Sequence, residues 1–377
     1  NVPRSTFVDC MKALKEDARL ALEGLPWEYG DAAEMQRLSA KYAGADQGKV
    51  TRVFGANFIG RMSGKVVEAF VAKADLLAAS PAYSNQSGVD WKTAAASAAK
   101  VLNHIGGVDG MDPTGWTWYC NVDDIEKLSP TESPAEILWR GERAKSLSLE
   151  EDNFPPTLYG NGRINPTQNL VDAFPMLNGY PVSHLSGEYD ENLPYANRDP
   201  RLEAYILYNG CKAGNTNKEI FTAADGTTND ALNKVVGRST RTGYYLRKLL
   251  RQDISLDPNA KADQYHYTPR IRYTEIFLAY AEAANQAYGP QDKGGNGYSA
   301  YDVVKKLRHR AGIGRDNGDA YLESIKNDQA KMAELIRNER RIELCFEGFR
   351  FWDLRRWKSN LTETAKGMNI SGTRYTP

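Results

Sequence analysis

The sequence predicts a mostly α-helical fold, in which paired helices wind into a right-handed superhelical scaffold interrupted by one large, irregular, loop-rich insert. Three observations carry that expectation. Apolar residues recur at steps of three and four near both ends of the chain, and in each of these regions two such helices follow one another closely, with alanines where helices meet. Between them, 106–268 is rich in Gly, Pro, Asn, Asp and Tyr and sustains no helical period. A structureless loop of that length is improbable in a compact domain, so it reads as a subdomain of short strands, turns and helices packed on the scaffold. The whole chain, 1–377, is expected to form one domain, with the scaffold at about 5–105 and 269–358.

The first helix is expected from Thr6 to Glu23. Phe7, Met11, Leu14, Ala18 and Leu22 share a face, Thr6 and Asp9 are spaced as a capping pair, and Gly24 then Pro26 stop the helix. A second helix follows Ser63, with Val66, Phe70, Ala74 and Leu77 as its apolar face, and ends at Pro81. A third opens at Asp90, and its Ala94, Ala95, Ala98 and Leu102 form a narrow small-residue face that lets another helix come close before Gly106-Gly107 ends the segment.

The same device returns later, where Tyr273, Ile276, Phe277, Tyr280 and Ala284 define a helix ending at Gly289-Pro290, and Tyr301, Val304 and Leu307 define its partner, ending at Gly312. Phe70-Val71-Ala72-Lys73-Ala74-Asp75 aligns with Phe277-Leu278-Ala279-Tyr280-Ala281-Glu282, and each second helix carries an aromatic near its start, Trp91 or Tyr301. Such copies point to tetratricopeptide-like units. The last long helix is expected from Asp328 to Glu347, with Met332, Leu335, Ile336, Ile342 and Phe346 inward and Glu334/Arg337 and Arg340/Glu343 pairing along its surface. After Gly348, an aromatic and arginine-rich segment, 349–357, reads as a short helix laid back on it.

Composition excludes several functions. Lys+Arg and Asp+Glu both number 48, so the net charge is zero and no summed field favours nucleic acid or an anionic membrane surface. No run approaches the roughly 18 to 20 apolar residues of a membrane-spanning helix. Cys10, Cys120, Cys211 and Cys345 lie far apart, indicating neither a zinc ribbon nor a disulfide framework. No signal peptide is visible, and the chain enters its first helix almost at once.

Catalytic motifs find little support. Gly44-Ala45-Asp46-Gln47-Gly48-Lys49-Val50 is one residue short of a phosphate-binding loop and lacks its Ser/Thr, and Gly312-Ile313-Gly314 follows a helix and so reads as a cap. His104, His184, His266 and His309 are isolated, and Asp316-Asn317-Gly318-Asp319 lacks the distal Glu of a calcium loop, so no metal and no cofactor is expected. Asp123, Asp124, Glu188, Asp190 and Glu191 are carboxylates from which a glycosidase pair could be drawn, but acidic residues in loops are usually solvated.

The remaining signal is aromatic. In Thr114-Gly115-Trp116-Thr117-Trp118-Tyr119-Cys120-Asn121, two tryptophans and a tyrosine fall among turn formers. On a strand, one face of this segment would offer a platform for the C–H face of a sugar ring, with Asn121 and Asp123 bonding its hydroxyls. The competing reading is that Trp116 and Trp118 pack into the subdomain core. Trp116, Trp118, Tyr119 and Asn121 are therefore the candidate ligand-binding residues.

The stretch Arg337-Asn338-Glu339-Arg340-Arg341-Ile342-Glu343-Leu344-Cys345-Phe346-Glu347-Gly348-Phe349-Arg350-Phe351-Trp352-Asp353-Leu354-Arg355-Arg356-Trp357 resembles the R-x-E-R-R-x-E-L-x-F-E-G block of the SusD/RagB family of outer-membrane nutrient-binding lipoproteins. Tyr273 to Asn285, Asn197 to Leu202, Gln168 to Phe174, Gly243 to Lys248 and Gly60-Arg61 opening a helix are similar blocks in the expected order. The resemblance implies tetratricopeptide-like helix pairs with an irregular ligand-facing subdomain. It also implies a non-catalytic protein, lipid-anchored on the outer face of the outer membrane, that captures glycans and sits on a SusC-like TonB-dependent transporter. The chain opens at what resembles an internal helix, so the anchor is expected outside it, and Cys10 lies in no lipobox-like context. The charged block itself reads as an ion-pair network pinning the last helices together. A tetratricopeptide-type scaffold for a peptide and a glycoside hydrolase are the alternatives.

Overall fold

The computed structural model of the protein describes residues 3–42, 46–129 and 132–377. The first helix, Phe7–Gly24, is capped by Thr6, whose hydroxyl accepts from the Asp9 amide at 3.2 Å. Met11 is its buried anchor, while Leu14 stands at the exposed edge. Helices Gly64–Ala79 and Trp91–Asn103 then form the first pair, the latter capped by Asp90. Two glycine-loop residues, Gly44 and Ala45, lie outside the described residues; Asp46 caps the helix Gln47–Phe54.

The buried stripe of Gly64–Ala79 differs from the expected one. Val66, Ala69, Ala72, Leu76 and Ala79 face inward, whereas Phe70 and Leu77 are 43% and 37% exposed. The reason is steric: the helix is flanked by the first helix and by Trp91–Asn103, and small side chains permit the closer approach. Phe70 instead meets Trp139 edge-to-face at 6.1 Å, so it is no equivalent of the fully buried Phe277.

The helix Tyr273–Tyr288 is the axis of the molecule, buried from Tyr273 through Asn285 and packed against Trp91–Asn103, Ala300–Arg310 and Gln329–Glu343. It is buried on every side, and its two carboxylates, Glu275 and Glu282, are met there by Lys73 and Arg356. Ser299 and Asp302 form a reciprocal capping box at the start of Ala300–Arg310. The last long helix ends at Glu343, four residues before the expected end, because the chain leaves helical geometry at Leu344 and Phe346 takes φ 64°. That turn carries Glu347 to Arg272 and Lys248. Gly348, at φ 85°, then admits the short helix Arg350–Arg356.

Between the helix pairs the chain forms short helices and two-stranded antiparallel pairings, among them Ile137–Arg140 with Pro269–Arg272 and Ala144–Ser146 with Gln264–His266. Trp118, Tyr119, Phe174, Tyr205 and Tyr244 fill its largest core.

The charged block faces inward. Arg201 lies 2.8 Å from Glu339, 3.2 Å from Glu343 and 2.7 Å from Asp199, and Arg308 bridges Glu339 and Asp319. Arg272 pairs with Glu136 and Glu347, both at 2.8 Å, and Arg310 reaches Glu343 at 3.5 Å. A second group joins Arg340 to Asp353 and Arg356 to Asp353 and Glu282. Arg340 and Glu343 thus pair with other elements rather than with each other, and Arg337 lies over the Trp357 ring. Buried charges need partners; Arg201 with Glu339, Arg272 with Glu136 and Arg356 with Glu282 join segments far apart in sequence, so the network ties the loop-rich middle of the chain to the helices that flank it.

Candidate ligand-binding site

The segment read as a strand platform is a 3₁₀ turn, Gly115–Thr117, between tight turns. Asp112 accepts from the Thr114 amide at 2.8 Å, and the Thr117 and Cys120 amides bond back to Thr114 and Thr117. Gly115 is required at its place: a Cβ there would stand 2.2 Å from the Glu136 carboxylate. These local bonds outcompete strand pairing, so Trp116 and Trp118 do not share a strand face.

The turn distributes the four candidates. Trp118 and Tyr119 are 7% and 4% exposed and lie side by side on the wall of a cavity of about 340 Å³. Trp116 packs against the same core, and its carbonyl accepts from Tyr205 at 2.8 Å. Asn121 bonds the Asp124 carboxylate at 2.5 Å. The structure therefore brings Trp118 and Tyr119 together at a cavity and leaves Trp116 and Asn121 off its lining.

Sequence reasoning missed the rest of that wall. Tyr267, Phe346 and Phe349 add aromatic surface, and His266, Arg270, Arg272, Glu275 and Glu347 add polar groups. Trp118 stands 5.7 Å from Tyr267, whose hydroxyl donates to the Trp118 carbonyl, while Tyr119 donates to the Ala204 carbonyl at 2.6 Å. The Trp118 indole N–H is buried and has no acceptor among the described residues. The alternation Tyr265-His266-Tyr267 just ahead of Arg270-Ile271-Arg272 was the one signal that could have led here.

The carboxylates of the wall are committed. Burial raises the Glu275 carboxyl above its ordinary value despite Lys73 at 2.7 Å. Burial pushes Glu347 in the same direction, but Arg272 and Lys248 outweigh it and hold that carboxyl low. Both are held by cations as structural partners. Among the described residues, no cluster of three or more His, Cys, Asp or Glu is placed to hold a metal ion.

With this geometry in place, comparison with known proteins is decisive. Residues 139–375, well over half of the chain, match the SusD family. The chain belongs to the SusD family. Two SusD-like proteins of Formosa agariphila, P38 and P2, are 33% and 32% identical to it over 85 and 102 residues, stretches that cover 22% and 26% of this chain and 16% and 18% of theirs. A SusD-like protein of Bacteroides fragilis shares the fold with a TM-score of 0.67 at 24% identity, over 99% of this chain and 65% of that one. A second B. fragilis structure, described as a SusD-like carbohydrate binding protein, matches with a TM-score of 0.59 at 21% identity over 92% of this chain and 66% of that one. The SusD-family chain thus spans slightly less than two thirds of the length of the first of these structures. Trp116, Trp118, Tyr119 and Asn121 precede the matched segment.

Proposed function

We propose that this SusD-family chain is a non-catalytic glycan-binding protein that captures oligosaccharides at the cell surface and hands them to a SusC-like TonB-dependent transporter. On this reading it is held on the extracellular face of the outer membrane by a lipid anchor. Membership of the SusD family carries the proposal. The aromatic cavity at Trp118 and Tyr119 supports it, since aromatic faces match the C–H faces of sugar rings and adjacent polar groups can bond hydroxyls. No helix among the described residues is long and apolar enough to cross a membrane.

The test is native affinity electrophoresis through gels containing plant, host and microbial polysaccharides, with Trp118→Phe and Phe349→Ala alongside and reducing ends assayed in parallel. Retardation by a polysaccharide without sugar release is the expected result, weakened in the cavity variants. Retardation unchanged in both folded variants would move the site away from this cavity. Release of reducing sugar, or binding of peptides with no glycan retained, would overturn the function.

A further inference from the structure

Beside the aromatic cavity, and sharing Arg270 with it, lies a cleft of about 690 Å³ lined by Arg61, Arg140, Arg143 and Arg270. In a chain whose charges cancel, this cleft has four guanidiniums and, among the described residues, one lining carboxylate, Glu142. The contrast with the interior is sharp. Arg201, Arg272, Arg308 and Arg356 are each bound by carboxylates, whereas none of the four cleft arginines is ion-paired among the described residues.

Aromatic rings and backbone carbonyls hold them instead. Arg61 lies over Phe58 at 4.3 Å, Arg143 over Tyr265 at 3.9 Å and Arg270 over Trp139 at 4.5 Å. Trp139 is itself fixed by its indole N–H donating to the Gly60 carbonyl at 2.7 Å. Arg143 also donates to the Ile125 and Glu126 carbonyls, and the buried Arg140 donates to those of Ser129, Glu132 and Gly141. A guanidinium held over a ring rather than by a carboxylate leaves N–H donors, in the planar fork that fits an oxyanion, and its charge is not neutralised by rings or carbonyls.

From this arrangement we infer that the cleft binds an oxyanion carried by the ligand, so that the preferred glycan is acidic, bearing uronate carboxylates or sulfate esters. The inference rests on the proposed glycan-binding function and narrows its ligand class. Arg61 and Arg270, the two exposed members, supply the edges that meet the anion. Arg140 and Arg143 set the positive field behind them. Sugars on the aromatic cavity side and an anionic group in the cleft would be read together through Arg270, which lines both.

The experiment uses the same electrophoresis with paired polymers: polygalacturonate against its methyl ester, carrageenan against its desulfated form, and neutral laminarin and xylan. Arg61→Gln, Arg270→Gln and the double variant are run beside the wild type, with thermal melts confirming that each is folded. The expected result is retention of at least one acidic polymer, loss of that retention when its anion is masked or removed, and at least a tenfold weakening in the double variant. Retention should also fall as salt rises. Which pair responds separates carboxylate from sulfate. Retention of neutral polymers only, or equal retention of masked and unmasked forms, overturns this inference and leaves glycan binding standing. Retention of nothing overturns both.

Discussion

Replacing Glu343 by glutamine probes the interior network at its most connected point. Its carboxylate lies 3.2 Å from Arg201, 3.5 Å from Arg310 and 3.9 Å from Arg272, and it is fully buried. Burial alone would raise its pKa, but Arg310, Arg201, Arg272 and Lys248 together outweigh that and hold it at about 2, against an ordinary 4.5. That fall corresponds to about 3 kcal/mol of stability at neutral pH. Each arginine keeps another carboxylate in the variant: Arg201 has Asp199 and Glu339, Arg272 has Glu136 and Glu347, and Arg310 has Glu136. The loss therefore belongs at the low end of the roughly 3 to 5 kcal/mol seen when a buried pair is broken. With an unfolding entropy of about 2.1 cal/mol/K per residue, a chain of 377 residues unfolding as one unit would melt about 4 °C lower. Because the folded pKa is depressed, the contribution is complete above about 4.5 and disappears as pH falls through about 2. Denaturant titrations of wild type and Glu343→Gln from pH 7 to the acid limit of folding, with exposed Glu334→Gln on the same helix as control, should show a difference that narrows with acid. A difference under about 1 kcal/mol at pH 7, or one that does not narrow below pH 4.5, would refute the assignment.

Further outcomes follow from other positions. Gly243 has φ +82°, and a Cβ there would stand 2.4 Å from the Met368 carbonyl oxygen; Gly243→Ala should cost about 2 kcal/mol or more in a denaturant titration, since backbone must move and the conformation is strained. Ser299→Ala removes one half of the capping box and should cost about 1 kcal/mol in the same assay. Burial pushes the Cys211 and Cys345 thiols up to about 11, whereas Cys10 is exposed. Iodoacetamide at pH 8 followed by peptide mass mapping should therefore label Cys10 in the native protein and the other two only after unfolding.

Much of the scaffold was legible in the sequence. Helix boundaries at Thr6, Asp90 and Gly289 are local events, written in caps and breakers that act within a turn of themselves. The apolar face Tyr273, Ile276, Phe277, Tyr280 and Ala284 marked the helix but not that its other side is buried as well, and the charged block from Arg337 carried the resemblance to the SusD family to which the chain belongs. Which stripe of Gly64–Ala79 is buried was not legible, because Phe70 and Ala69 both fit a helical period and only the neighbours decide between them. The charges of Arg340 and Glu343 showed spacing but not partners. Their partners Asp353, Arg201 and Arg310 are set by how helices cross.

The features of the candidate site depended most on tertiary structure. Trp118 and Tyr119 were visible as an aromatic cluster, yet their turn conformation follows from Asp112 and from Glu136 pressing on Gly115. Their cavity is completed by Arg270, Phe346 and Phe349, well over a hundred residues away. The arginine cleft had no sequence signature, since Arg61, Arg143 and Arg270 become a cluster only when Phe58, Tyr265 and Trp139 are brought beneath them. Periodicity and capping are short-range and survive in the sequence alone. A cavity and an unneutralised charge are properties of what packs around a residue, and only the folded chain determines that.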